Sequence, residues 1–396
     1  MTRGSVARDQ DAPVVPLRVV FLVRSLEVGG AETQVALLAL HLDRARFEAV
    51  VVCFYSVGEL RATLERGGVS VISLDKKGRW DLIGFTLRLI RLMRRLRPGL
   101  IHSFMGPPNI LAIGLKLVLP NLRVVWGIRS SKMEFGDYDM TWRIVFAVER
   151  YLSRWADTIV ANSFAGGDHL KEQRFCVRRL IVVPNGVDVE RFAESAAART
   201  KLRKEWGVAS EEKLISLVAR LDSKKDHETF LRAAAVLAAK AEDVRFACVG
   251  GDGRKSRDEL QSLALSLGLA GRIIWEGYRA DVPAVLAASD IVTSASAYGE
   301  GFPNVVAEAM AAGRPAVVTD VGDSALIVGM LGAVVEPRSP RALVAGWEQV
   351  LSEIRRGDPQ AARLRRQRIV ENFSHHKMVS RMASVYTGDA DAGLIR

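Results

Sequence analysis

From Leu17 onward, short β-branched apolar runs alternate with longer segments whose apolar positions recur at helical spacing. That alternation is the pattern of βαβ units around parallel sheets. In the first half it predicts strands at Arg18–Val23, Ala49–Phe54, Ser70–Ser73, Leu100–Ser103, Arg123–Gly127, Thr158–Ala161 and Leu180–Val183, with helices in the gaps. The rhythm pauses over Asp188–Gly207, a charged, Ala-rich stretch. It resumes with strands at Leu214–Ala219, Arg245–Val249, Arg272–Trp275, Ile291–Ser294, Ala316–Thr319 and Ala333–Val335. The expectation is an α/β chain of two Rossmann-like, doubly wound domains joined near residue 190: a loose leader over 1–16, a first domain over 17–190 and a second over 191–372. From Pro340 to Tyr386 the chain reads as helical, and 373–396 is expected to form a helix and tail that return to the first domain. Sheets of this kind bind ligands beyond the C-terminal ends of their strands. Two such crevices facing one another across a cleft suit a reaction between two substrates, one held by each domain.

Composition narrows the class. The 396 residues are 49% apolar and 26% charged, which supports a folded protein of two domains and excludes collagen-like, mucin-like and wholly disordered chains. Cys53, Cys176 and Cys248 show no CxxC or Cys/His spacing, so neither a disulfide framework nor a zinc site is expected, and the compartment reads as reducing and cytoplasmic. No apolar run reaches the ~18 residues of a membrane-spanning helix; the nearest, Asn109–Pro120, is short and carries Lys116. At the N-terminus Arg3 and Arg8 are followed by Asp9, Asp11 and prolines, where a signal peptide needs its apolar stretch.

The formal charge of +11 is uneven, with +8 on residues 1–190 and +3 on 191–396. Leu82–Arg97 reads as a helix with Leu, Ile and Met on one side and Arg88, Arg91, Arg94, Arg95 and Arg97 on the other. That face is either solvated or set against anionic lipid headgroups on the inner face of the cell membrane. Nucleic acid is excluded as a partner, because no recognition-helix motif or aromatic stacking platform is present.

Four strand ends carry candidate chemistry. The first strand leads into Val28-Gly29-Gly30-Ala31-Glu32, where paired glycines before a helix let backbone N–H groups approach a phosphate or sugar, or simply make a tight turn. GxGxxG is absent and the second strand ends in Cys53-Phe54-Tyr55 rather than an acid, so no nicotinamide or flavin cofactor is expected. Strand Leu214–Ala219 runs into Arg220 and Lys225, two cations at a strand end before a helix, which could meet a diphosphate or form a solvated basic loop. Gly250, in Val249-Gly250-Gly251, points at the same crevice. After Ile291–Ser294 the chain reads Glu300-Gly301-Phe302-Pro303-Asn304, then a helix through Glu308. Pro303 suits the first helical position, the helix N-terminus favours an anion, and Asn304 and Glu308 share a face.

Taken in order, Gly29-Gly30-Ala31-Glu32, Ile101-His102-Ser103, Val183-Pro184-Asn185-Gly186-Val187-Asp188, Arg220 with Lys225, and Glu300-x7-Glu308 followed by Ala311-Ala312-Gly313-Arg314-Pro315 resemble a family 4 glycosyltransferase, retaining, of the GT-B fold. The resemblance runs from Val19 to about Tyr386. It implies that Arg220 and Lys225 bind the donor diphosphate, Glu300 the donor sugar and Glu308 the nucleotide ribose, with amides around Gly301, Phe302, Pro303 and Asn304 on phosphate and sugar. It further implies a UDP- or GDP-sugar donor, a saccharide or lipid-linked saccharide acceptor in surface polysaccharide or lipopolysaccharide assembly, hexosyl or N-acetylhexosaminyl transfer, and neither cofactor nor metal.

Where relatives read His-x-His, this chain reads His102-Ser103-Phe104, so His102 either approaches the acceptor or is a buried structural residue. Arg129, in Gly127-Ile128-Arg129-Ser130-Ser131, is a candidate for acceptor or phosphate contact. A sugar-nucleotide epimerase on the same fold and a non-catalytic nucleotide-sugar binding protein are the rival readings.

Overall fold

The computed structural model describes residues 15–78, 80–129, 140–176, 179–253 and 256–389. Among the described residues, thirteen strands form two all-parallel sheets. The first holds β1 (Leu17–Val23), β2 (Phe47–Cys53), β3 (Ser70–Ser73), β4 (Leu100–Phe104), β5 (Arg123–Ile128), β6 (Thr158–Ala161) and β7 (Leu180–Val182), in the order β3-β2-β1-β4-β5-β6-β7. The second holds β8 (Lys213–Val218), β9 (Val244–Val249), β10 (Ile273–Glu276), β11 (Ile291–Ser294), β12 (Ala316–Thr319) and β13 (Ala333–Val335), in the order β10-β9-β8-β11-β12-β13. Each predicted strand is present, shifted by at most two residues at an end. The chain forms two compact units, one ending at Trp126 and one starting at Gly127.

Why these runs become strands follows from burial. Val19–Leu22 and Val50–Val52 are buried, with Val20 paired to Val50 on one side and to Ile101 on the other. Strands covered by helices on both faces lose the apolar/polar alternation and read as continuous Val/Ile/Leu. In the second sheet, Trp347 sits at the centre of one face, fully buried against Phe230 and Phe246, and its indole N–H donates to Thr293 Oγ1 at 2.9 Å. The opposite face packs Val292, Ala316 and Val318 beneath Val306 and Met310.

The pause over Asp188–Gly207 contains a helix, Ala196–Glu205, capped by Ser195, whose Oγ accepts from Ala198 N at 3.2 Å. It is pinned to the N-terminal edge of the second sheet by Asp290, which accepts from Arg199 Nη2 at 2.7 Å, Arg203 Nη1 at 3.0 Å and Leu214 N at 2.8 Å. The C-terminal stretch is three helices, Pro340–Arg356, Ala361–Phe373 and His375–Thr387. The last is joined to residues 179–187 of the same unit: His375 N donates to Val187 O at 2.9 Å and Arg179 Nη2 to Gly388 O at 3.3 Å.

In each sheet the order reverses direction once, between β1 and β4 and between β8 and β11. At such a switch point neighbouring crossovers leave in opposite directions, which opens a crevice at the C-terminal strand ends. The loops after β8 and β11 are therefore the ones the topology aims at a ligand.

Candidate functional site

After β8 the chain passes Arg220, then a single 3-10 turn over Ser223–Lys225 capped by Asp222. Asp226 follows with φ of 50° and caps the helix His227–Ala238, its Oδ1 accepting from Thr229 N at 3.1 Å and its Oδ2 from Thr229 Oγ1 at 2.6 Å. Two consecutive caps fix the backbone on both sides of Lys225. The loop after β11 is tied to this turn by Ala297 N, which donates to Lys224 O at 2.8 Å. Across that link Lys225 Nζ forms an ion pair with Glu300 Oε1, which also accepts from Ser296 Oγ at 2.8 Å.

The electrostatics follow from this packing. Glu300 is 7% exposed. Burial alone would raise its pKa, but the Lys225 ammonium and then Lys224 outweigh it and hold the carboxyl below its ordinary value. Lys224 is depressed by burial and by Lys225 beside it. His227, buried under the same turn, is pushed down to about 4 by burial and by Lys225, so it is neutral at pH 7 and adds no charge. Arg220 is exposed at the strand end. The crevice thus holds a buried carboxylate neutralised by one lysine, with further cationic charge left over for an anion.

Gly250 allows the next strand end to close in: a Cβ there would lie 2.0 Å from the Ala219 carbonyl oxygen. Beyond it is an open cavity of about 700 Å³, whose lining includes Gly251, Asp252, Arg257, Gly277 and Tyr278. That volume is ample for a nucleoside.

On the other side of the crevice stands the helix Asn304–Ala311. Pro303 takes the capping position, extended at φ −72°, one residue before the first helical turn in which the sequence places it. Phe302 is buried with its ring 5.4 Å from Phe373, so only its backbone can serve a ligand. Glu308, in the second turn, is pushed up to about 7 by burial, with Arg191 countering only in part. Asn304 Oδ1 accepts from Asn185 Nδ2 at 2.7 Å, and Asn185 Oδ1 in turn accepts from Arg129. Gly301 lies against Asn162, where a Cβ would fall 2.8 Å from Oδ1. Asp323 N donates to Gly301 O at 2.9 Å, while its carboxylate accepts from Phe164 N at 2.8 Å and Ala165 N at 3.0 Å. Asp323 therefore fastens the glycine turn to the start of the helix Phe164–Glu172.

The other candidates belong to the unit that ends at Trp126. Gly29 caps the helix Gly30–His41 with extended backbone. His102, in β4, is fully buried, its ring 4.1 Å from Phe104 and 6.0 Å from Phe21. Immediately after β4, Met105 adopts φ of 55° and Gly106 φ of 56°, a pair of left-handed residues at the switch point. Ser130 and Ser131 lie outside the described residues. Among the described residues no group of three or more His, Cys, Asp or Glu is placed to hold a metal ion, and no helix is long and apolar enough to cross a membrane.

Two family models match in tandem. "Glycosyltransferase Family 4" covers residues 28–191, and "Glycosyl transferases group 1" covers residues 212–353. The chain belongs to glycosyltransferase family 4. A D-inositol 3-phosphate glycosyltransferase of Salinispora arenicola is 30% identical over 283 residues, 67% of this chain and 62% of that protein. A UDP-Gal:alpha-D-GlcNAc-diphosphoundecaprenol alpha-1,3-galactosyltransferase of Escherichia coli is 28% identical over 169 residues, 40% of this chain and 43% of the other. The chain spans 57–62% of the length of the inositol-phosphate enzymes of Salinispora and Geodermatophilus. In fold, the crystal structure of Anabaena Alr3699/HepE in complex with UDP-glucose superposes with a TM-score of 0.82 at 22% identity, covering 94% of this chain and all of that one. The fold is GT-B.

Within this family 4 chain, Lys225 and Glu300 meet directly, and Arg129, Asn185 and Asn304 form one hydrogen-bonded line. Asp323 and Tyr278 are additions to the sequence-read set. The Gly322-Asp323-Ser324 turn before a short helix is the kind of signal that could have pointed to Asp323 as a capping residue; Tyr278 has no comparable mark.

Proposed function

We propose that the protein is a retaining glycosyltransferase that moves a hexosyl or N-acetylhexosaminyl group from a UDP- or GDP-sugar to a saccharide or lipid-linked saccharide in surface polysaccharide or lipopolysaccharide assembly. The observation that carries this reading is the Lys225–Glu300 pair at the β8/β11 switch point, with Arg220 exposed beside it. A buried carboxylate that already holds one cation suits sugar hydroxyls, while Arg220, Lys225 and the N-terminus of the helix Asn304–Ala311 suit the two phosphates. Gly250 and the cavity by Tyr278 suit the nucleoside end, and Glu308 the ribose. Gly29 and Gly30 offer backbone N–H groups to the donor. The acceptor falls to residues 17–190, with Arg129 as its candidate contact.

Catalysis here is positioning plus charge. In front-face substitution the bond from the anomeric carbon to the diphosphate breaks as the acceptor oxygen bonds on the same face, and the leaving phosphate oxygen takes the acceptor proton. The protein must hold the two substrates in register and stabilise negative charge growing on the diphosphate. Arg220 and Lys225 do so without a divalent metal. His102 acts through packing beneath the β4 loop. The E. coli relative's diphosphoundecaprenol acceptor supports a lipid-linked acceptor for this chain as well, and with it a cytoplasmic protein working peripherally on the inner face of the membrane. The helix Ile83–Leu96 supports that placement with Arg91, Arg94 and Arg95 exposed; Arg88 instead pairs with Asp81 and donates to Leu74 O at 3.0 Å.

Nucleotide release tests the reading. UDP- and GDP-sugars are first screened for protection against unfolding, since a ligand at 100 times its Kd adds about 2.7 kcal/mol. The protecting donor is then incubated with and without saccharide acceptors in excess EDTA. Free nucleotide released only with acceptor is the expected result. Acceptor-independent interconversion of the sugar identifies an epimerase, and protection without turnover across the acceptor panel identifies a binding protein.

A further inference from the structure

The helix Met140–Leu152 and the turn Ser153–Trp155 carry more apolar surface than the fold uses. Only Val145, Phe146, Glu149, Leu152 and Ser153 face inward, with Phe146 packed edge-on against Phe175 at 5.4 Å and Ser153 Oγ accepting from Cys176 N at 2.8 Å. Outward lies a stripe at positions i, i+4, i+8, i+11 and i+15: Met140 at 67% exposure, Ile144 at 58%, Val148, Tyr151 at 57% and Trp155. At 3.6 residues per turn the first four fall within one quarter of the helix circumference, and Trp155 follows them in the 3-10 turn. Arg143, Arg150 and Arg154 are exposed along one edge of that stripe, with Arg154 stacked 4.1 Å from the Tyr151 ring centroid. The helix's sole acid, Glu149, is buried on the inner face.

We propose that this stripe is an interfacial anchor that lies in the headgroup region of an anionic bilayer. The inference rests on the peripheral reading above and assigns the contact to an element of the unit that starts at Gly127. Three features favour lipid over another occupant. Tyr and Trp beside aliphatic residues are the composition that partitions to the water–lipid boundary. The charge exposed on the helix and its turn is wholly arginine, the nearest exposed described acid, Asp157, lying two residues beyond Trp155. The Arg154 guanidinium, 4.1 Å from the Tyr151 ring centroid and 5.3 Å from that of Trp155, places cationic charge beside the aromatic pair, at the level where lipid phosphates lie.

The test is flotation of the full chain with vesicles of phosphatidylcholine alone or containing one-third phosphatidylglycerol. Variants are Ile144→Asp with Tyr151→Asp, Arg143→Glu with Arg150→Glu, and, on the other helix, Arg91→Glu with Arg95→Glu. Expected results are binding to the anionic vesicles only and loss of at least about tenfold in both variants of the Met140–Leu152 helix. Nucleotide-sugar binding should be unchanged, and quenching of tryptophan emission by brominated lipid should fall in Trp155→Phe.

Full binding by both helix variants overturns the inference. If at the same time the Arg91/Arg95 variant alone loses binding, the peripheral reading survives and only this anchor is wrong. A wild-type protein that ignores every vesicle overturns both. A wild-type dimer split by the aspartate substitutions also overturns it, because the stripe is then a self-interface.

Discussion

Two clusters of carboxylate and cation sit at opposite ends of the second sheet, and their difference separates structure from chemistry. At the N-terminal edge, Asp290 accepts from Arg199, Arg203 and Leu214 N, and Arg203 reaches the Ala288 carbonyl at 3.2 Å as well. Both carboxylate oxygens are engaged, and the Arg203 guanidinium is spent on Asp290 and backbone carbonyls, so the cluster is closed and anchors a helix. At the C-terminal edge, Glu300 accepts from Lys225 and from Ser296 Oγ, while Arg220 stands exposed and the ammonium of Lys225 has donors to spare. That cluster is open. Buried charge held this way is costly unless something completes it, and a diphosphate sugar has the charge and the hydroxyls to do so.

Substitutions in the two clusters should therefore fail in different ways. The largest effect is expected at the open cluster. Arg220→Ala or Lys225→Ala should lower kcat/KM by roughly 10²-fold or more, since a lost cation at a developing anion costs a few kcal/mol. The thermal midpoint should barely move in Arg220→Ala, whereas Lys225→Ala also strands the buried Glu300 carboxylate and should lower it. Near-normal turnover in both variants would remove these residues from the site. At the closed cluster, Asp290→Ala leaves two arginines uncompensated and should cost about 3–5 kcal/mol in denaturant unfolding, with turnover per folded molecule unchanged. Loss of activity in excess of unfolding would mean the N-terminal edge communicates with the crevice.

The third contrast lies within the open cluster. Glu300 is held ionised by Lys225, whereas Glu308 is raised to about 7 by burial. Ribose hydroxyls donate to a carboxylate, so nucleotide affinity should weaken as pH falls below 7, on the order of tenfold per unit, and level off above it. Glu308→Gln should abolish that dependence, as read by calorimetric titration from about pH 5.5 to 8.5. The sign for stability is opposite: an acid whose folded pKa is raised penalises the free protein as pH rises from about 4.5 to 7 and no further. The advantage of Glu308→Gln in thermal midpoint should accordingly grow across that window and then plateau.

The smallest effect is expected at His102. Because its ring is buried among Phe21 and Phe104, His102→Leu should change kcat by no more than about threefold while shifting stability by about 1 kcal/mol. A loss of kcat of the size expected at Lys225 would give it a direct role.

How much of this was legible in the chain depends on the range of the interaction. The strands were readable because a parallel strand buried on both faces is a run such as Val19–Leu22, visible without any partner. Arg220, Lys225, Glu300 and Glu308 were readable because each sits at a strand end or helix start, where local sequence fixes position. The line from Arg129 through Asn185 to Asn304 was not, since it joins residues 56 and 119 apart by side-chain hydrogen bonds that leave no periodic trace. The turn around Asp323 marks a cap, but its partners Phe164 N and Ala165 N, 159 and 158 residues away, were hidden for the same reason. The outward stripe of the helix Met140–Leu152 was hidden differently: apolar spacing shows that a helix has a hydrophobic face, not which way that face turns.

The most direct test of the open cluster is a crystal structure of the protein with a protecting sugar nucleotide bound. The account requires the diphosphate oxygens within about 2.7–3.1 Å of Arg220 and Lys225, with the sugar hydroxyls on Glu300 and the ribose beside Glu308. Phosphates lodged away from the β8/β11 strand ends, with the Lys225–Glu300 pair untouched, would contradict it.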